Sequence, residues 1–209
     1  MAGLFRVFAV LAALVVSLNG GIVSAADLEN TLYMDVPAGR VTIELRPDLA
    51  PNTVARIKEL VRQHFYDGIV FHRVIDGFMA QTGDPTGTGM GGSGKKLKAE
   101  FTDTPFVRGT VGMARAQDPD SADSQFFICF EPASFLDGKY TVFGQVTAGM
   151  EAVDALKKGD QNDNGKVTNP DKIIKMQVAA DVIDAEAKAK QPKPKEEDPT
   201  LNEMPKLHQ

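Results

Sequence analysis

Residues 71–84 read FHRVIDGFMAQTGD. Phe71, Val74, Ile75, Phe78 and Met79 make the stretch mostly apolar, yet Arg73 and Gln81 are set among them, with His72 alongside. A guanidinium does not deprotonate, and an unpaired one inside a core costs too much to be idle. Arg73 therefore points to solvent from the polar face of a strand, or it is held at the floor of a site. Strand alternation puts Arg73 with Ile75 on one face and Met79 with Gln81 on one face. Residues 125–129, QFFIC, form a further strand whose Gln125, Phe127 and Cys129 share a face. One layout accommodates all of them: a shallow apolar pocket walled by Phe78, Met79, Phe127 and Leu136, with Arg73, Gln81 and Gln125 along its edge. Phe126, out of phase with these, faces the core.

Working outward, residues 31–36 and 40–45 are short alternating runs around a Pro-Ala-Gly turn, which predicts a β-hairpin. Pro51, Asn52 and Thr53 open a helix with Val54, Ile57 and Val61 on one face, capped by Asn52 or Thr53 and ended by Asp67-Gly68. Further strands are expected at 69–75, 78–82, 97–101, 110–114, 125–130, 141–146 and 172–178. A second helix fits 150–158, with Val153 and Leu156 inward and Gly159 beyond its end. So many short strands with two full helices predict a mainly β domain, a barrel or sandwich.

The two ends differ from this middle. Residues 1–26 have the layout of a secretory signal peptide: Arg6, an apolar run over 7–18, Gly20-Gly21, then small residues allowing cleavage after Ala25 or Ala26. The run is shorter than the roughly 20 residues of a membrane span, so no stable membrane insertion is expected after processing. Removing this segment, which holds one basic residue and no acidic one, takes the net charge from −5 to −6. An acidic chain has no electrostatic footprint for nucleic acid. From residue 180 to 209 the chain is charged and interrupted by proline, the composition of a disordered tail. Cys129 is the only cysteine, so no internal disulfide is possible, and its aromatic surroundings suit a buried small hydrophobe.

Several motifs lead elsewhere on inspection. Residues 87–96, GTGMGGSGKK, match both a dinucleotide fingerprint and a phosphate loop. Both motifs need a following helix, which the 95–101 stretch does not predict, and Lys96 stands where a magnesium-holding Ser or Thr belongs. Residues 160–171, DQNDNGKVTNPD, place Asp160, Asn162, Asn164, Gly165, Thr168 and Asp171 at the positions of a calcium loop. Asp171 is short for the last ligand, Pro170 precedes it, and a strand follows, so a turn series is the preferred reading. Ser124 and Asp123 with His72 lack the strained elbow of a serine hydrolase. No paired His or Cys spacing predicts zinc, and no metal or cofactor is expected.

FHRVIDGFMAQTGD, the GTGMGG loop, SQFFICF and FLDGKYTVFGQV, in that order, resemble a cyclophilin, a peptidyl-prolyl cis–trans isomerase. The resemblance covers about residues 30–179 and is closest to bacterial periplasmic cyclophilins. It implies a closed eight-stranded antiparallel β-barrel capped by two α-helices, an isomerase domain over 27–179, a periplasmic location and proline-containing polypeptides as partners. By motif, the family's essential arginine falls on Arg73, and its proline pocket on Phe78, Met79, Phe127 and Leu136. Polar contacts to the peptide fall on Gln81, Gln125 and the backbone around Ala114 and Arg115. Phe135 and Tyr140 stand where many members have Trp and His. Phe135 lacks an indole N–H, so weak cyclosporin binding is implied, while Tyr140 keeps an aromatic wall.

That chemistry gives Arg73 a purpose, since twisting an X-Pro bond gives the prolyl nitrogen a lone pair that a fixed guanidinium N–H can reach. Two other readings stay open at this point. The same surface serves a chaperone or adaptor that only binds Pro-containing segments, or a calcium-regulated binding module.

Overall fold

The computed structural model describes residues 24–190. Most of the expected signal segment and residues 191–209 of the expected tail lie outside the described residues. The chain order is α1 (Ala25–Glu29), β1 (Thr31–Val36), β2 (Gly39–Leu45), α2 (Pro51–Arg62), β3 (Arg73–Ile75), β4 (Met79–Thr82), β5 (Thr110–Met113), β6 (Phe126–Cys129), β7 (Val142–Ala148), α3 (Met150–Asp154), β8 (Lys175–Val178) and α4 (Ala179–Ala189). The eight strands form one antiparallel sheet in the order β3-β4-β6-β5-β7-β2-β1-β8. Register shifts at Thr42/Ile43 and Val111/Gly112 bend it.

The sheet is curled into a half-barrel, and no ladder joins β3 to β8, which corrects the expected closed barrel. The physical reason lies in residues 159–173. Asn164 and Asn169 adopt left-handed backbone angles, φ 50° and 52°, and Pro170 has no N–H to donate. A regular strand cannot run through them, so this segment meets the β3 edge through isolated bridges, Val70 with Lys172 and Arg73 with Lys166.

Other boundaries also move. The hairpin forms as predicted, with Val36 opposite Gly39. Residues 97–101 form no strand; Leu97 makes one isolated bridge to Ala122. The 150–158 helix stops at Asp154, because the Lys157 N–H turns aside to the Asp171 carboxylate at 2.9 Å, although Val153 and Leu156 are buried as expected. Neither Asn52 nor Thr53 caps α2. Ala50 is the N-cap and makes no side-chain bond, and Glu100 receives the Asn52 and Thr53 N–H groups at 3.0 and 2.9 Å. Residues 180–189, assigned to the tail, are instead helical in α4. Ala179 is buried against the sheet, and Asp181 pairs with Arg62 at 2.9 Å.

Two apolar clusters organise the interior. The larger fills the curl of the sheet and includes Ile43, Leu60, Tyr66, Phe71, Phe126, Ile128 and Phe143. The smaller lies on the opposite face of β4, β5 and β6 and joins Met79, Phe106, Phe127, Cys129, Ala133, Leu136 and Val142. Both faces of β6 are therefore covered, which explains its uninterrupted FFIC. Gly112 makes the second cluster possible. A Cβ there would lie 2.6 Å from Phe106 and 2.8 Å from Phe127, whose rings stack with centroids 5.7 Å apart. Cys129 is buried in this cluster, and burial, with Asp137 adding to it, pushes its thiol up to about 12.

Candidate active site

The second cluster reaches the surface as a depression of about 260 Å³. It is lined by Arg73, Phe78, Met79, Gln81, Ala114, Arg115, Phe127, Phe135, Leu136 and Tyr140. These are all the site residues expected from the sequence except Gln125. The pairing of β4 with both neighbours brings them together, with Arg73 opposite Gln81 and Gln81 opposite Phe127. Met79, Phe127 and Leu136 are buried in the floor. Phe135 is 61% exposed on the rim and packs on Phe78 at 5.4 Å, while Tyr140 stands edge-on to Phe127 at 6.1 Å. The Arg115 guanidinium lies 4.4 Å over the Tyr140 ring.

Gln125 lines the adjoining depression, with Gln81, Ala114, Arg115 and the 89–92 loop. Its amide is engaged internally: Nε2 donates to the carbonyls of Gly89 at 3.0 Å and Gly91 at 2.8 Å, and Oε1 accepts from Gln81 Nε2 at 2.9 Å. The Ala114 N–H is likewise taken by the Gln125 carbonyl at 2.9 Å.

Arg73 is half-buried and fixed. Nη1 donates to Gln81 Oε1 at 3.1 Å and faces Met79 Sδ at 3.7 Å. Nε donates to the Asn164 carbonyl and Nη2 to Asn164 Oδ1, both at 3.0 Å. None of the salt bridges among the described residues uses it. Desolvation lowers its pKa from the ordinary value, with Tyr140 opposing, and the guanidinium stays charged. A relay thus runs from Arg73 through Gln81 and Gln125 to the glycine loop.

The loop is held from below by Asp84, which is 1% exposed. Its carboxylate accepts from the N–H groups of Thr86 (2.7 Å), Thr88 (3.1 Å), Gly89 (2.6 Å) and Gly91 (3.1 Å). Burial alone would raise its pKa, but the bonds from Thr86, Gly91 and Gly89 outweigh it and hold the acid at about 2. The glycine stretch is therefore a loop gathered on a carboxylate, with no helix behind it. Beside it His72 is buried, and burial lowers its pKa against the pull of Asp84. In the 160–171 segment, Asp160 accepts from the Asn162 N–H at 2.8 Å, Asp171 from Lys157, and Asn164 from Arg73. These oxygens serve separate partners. Asp84 and Asn164 were not expected at the site. The Asn-Gly pair at 164–165 signals a left-handed turn but not its partner.

A family model described as Cyclophilin type peptidyl-prolyl cis-trans isomerase/CLD matches residues 31–178. This chain belongs to that family. It is a peptidyl-prolyl cis–trans isomerase. A Brucella suis protein named "Probable peptidyl-prolyl cis-trans isomerase" is 55% identical over 188 residues, covering 83% of this chain and 96% of the relative. Peptidyl-prolyl cis-trans isomerase B of Bacillus subtilis is 46% identical over 123 residues, covering 58% and 85%. Among solved structures, a cyclophilin of Hirschia baltica superposes with a TM-score of 0.65 at 28% identity, covering 73% of this chain and 74% of that one. A Cryptosporidium parvum cyclophilin, crystallised in the presence of the dipeptide Ala-Pro, gives 0.65 at 27%, covering 71% and 98%. The isomerase therefore carries its pocket on a cyclophilin-like sheet.

Proposed function

We propose that the isomerase accelerates X-Pro isomerisation in exported polypeptides, with Arg73 as the catalytic residue. The observation that carries this is a charged guanidinium fixed at the rim of an apolar pocket with no carboxylate partner among the described residues. The barrier of about 18–20 kcal/mol comes from amide resonance. Twisting the bond pyramidalises the prolyl nitrogen, and an N–H of Arg73 bonds its lone pair in that state alone. An interaction made only in the transition state raises the rate without tightening ground-state binding. Met79, Phe127 and Leu136 hold the proline ring, Phe78, Phe135 and Tyr140 wall it, and Gln81, held by Gln125, and the Ala114–Arg115 backbone set the peptide beside it. The acidic chain opposes nucleic acid as a partner, and proline-containing polypeptides fit the pocket. Magnetisation-exchange measurement of cis–trans rates on an X-Pro peptide tests the reading. Acceleration supports it, and binding without acceleration makes the groove a docking surface.

The export reading rests on residues 1–26. The chain is expected to reach the periplasm and to begin, once mature, at Ala26 or Asp27. Intact-mass analysis of periplasmic material checks this, and a membrane-bound chain retaining residues 1–25 contradicts it.

Cyclosporin is expected to bind weakly, because exposed Phe135 stands on the rim without a ring N–H. Phe135→Trp is expected to tighten binding roughly tenfold, the worth of one good hydrogen bond. Calorimetric titration of both proteins gives the answer, and equal affinities would remove the indole from the account.

A further inference from the structure

Asn164 lies 91 residues from Arg73 in the chain, yet supplies two of its acceptors. A guanidinium has five N–H bonds. The Asn164 carbonyl takes Nε–H, Asn164 Oδ1 takes one Nη2–H, Gln81 Oε1 takes one Nη1–H, and the other Nη1–H faces the weakly accepting Met79 sulfur. What is left for a substrate is the second Nη2–H and the hydrogen over the sulfur. We infer that Asn164 is a positioning residue of the isomerase, clamping Arg73 so that these hydrogens face the twisted bond. The inference rests on the catalytic reading of Arg73 given above.

The clamp is built into the backbone. The Val74 N–H donates to the Gly165 carbonyl at 2.8 Å, the Gly159 N–H to the Val74 carbonyl at 2.9 Å, and the Val167 N–H to the His72 carbonyl at 3.1 Å. Both neighbours of Arg73 are thus tied to the loop that carries Asn164. Gly165, at φ +77°, lets the loop lie flush: a Cβ there would run into Ile75 and sit 3.1 Å from the Val74 carbonyl. Asn164 itself is left-handed, a conformation asparagine tolerates better than most residues. A flexible arginine loses reach and direction unless its planar fork is held. Two oxygens of one residue hold it here and leave the second Nη2–H free.

The test compares wild type, Asn164→Gly, Asn164→Asp, Arg73→Ala and Arg73→Ala/Asn164→Gly as mature full-length chains on an X-Pro peptide. Asn164→Gly keeps the left-handed backbone and the carbonyl and removes Oδ1. It is expected to lower kcat about tenfold with KM within about twofold, as for one charge-assisted bond that acts in the transition state. Asn164→Asp, which restores the acceptor, is expected to keep more than about half of wild-type kcat. In the Arg73→Ala background, Asn164→Gly is expected to change nothing beyond about twofold, because partners acting as a unit are non-additive. The positioning role is overturned if Asn164→Gly turns over normally, if Asn164→Asp is as slow as Asn164→Gly, or if the tenfold loss recurs without Arg73. A thermal transition separates these from unfolding, and the Asp variant decides if the Gly variant does not fold. Near-normal turnover by Arg73→Ala sinks the catalytic reading and the clamp together, whereas slow Arg73→Ala beside normal Asn164→Gly sinks the clamp alone.

Discussion

Arg73→Ala is expected to lower kcat/KM for X-Pro isomerisation by roughly 10²–10³-fold, the usual worth of one preorganised donor to a transition state. Arg73→Lys is expected to be nearly as slow, because an ammonium on a flexible stem cannot engage Gln81 and both Asn164 oxygens at once. Folding should survive both changes. Arg73 has no ion-pair partner in the described structure, and its contacts lie at the pocket edge. A steady-state assay paired with a thermal melt reads both quantities. An unfolded Arg73→Ala variant would make the residue a structural tie of the 159–167 loop to β3.

Asp84→Ala is the change expected to cost most stability, about 3 kcal/mol at neutral pH. The carboxylate is buried, and its removal strands the Thr86, Thr88, Gly89 and Gly91 amides, each of which needs an acceptor. Turnover should also fall by about tenfold, because the Gly89 and Gly91 carbonyls hold Gln125, and Gln125 holds Gln81. The pH dependence follows from the acid held at about 2 against an ordinary value of 3.8. A depressed acid binds fewer protons folded than unfolded, so its stabilisation is present above pH 3.8 and lost as pH falls through about 2. Denaturant titrations at pH 7 and pH 2.5 should therefore show the gap between wild type and Asp84→Ala narrowing at the lower pH. A gap of equal size at both would assign the loss to packing, not to the ionised carboxylate.

Much of the site was legible because its pieces are strands with period-two alternation. The 71–84 and 125–129 stretches place Arg73, Met79, Gln81 and Phe127 in phase, and the β3–β4 and β4–β6 ladders join them. Strand phase puts Gln125 at the pocket edge, whereas its side chain lines the adjoining depression and its amide bonds a loop that the sequence presents only as glycines. What could not be read depends on long-range partners. Glu100 caps α2 from 48 residues away, replacing the local Asn52 or Thr53 cap. Asn164 meets Arg73 across the gap where a closed barrel was expected. Strand propensity at 97–101 found no neighbouring edge to pair with. The charges of residues 180–189 predict a tail, but Val182 and Ile183 are half-buried and Asp181 meets Arg62, which gives the α4 helix a surface to rest on.

The central claim is that Arg73 bonds the prolyl nitrogen only while the bond is twisted. Exchange spectroscopy on an X-Pro peptide, titrated with wild type and with Arg73→Ala, measures the affinity of the cis and trans forms and their interconversion rate on the protein in one experiment. The account predicts on-protein interconversion slowed by roughly 10²-fold or more, with both affinities within about twofold of wild type. Affinities that weaken in step with an unchanged interconversion rate would contradict it, leaving Arg73 a ground-state contact of a peptide-binding groove.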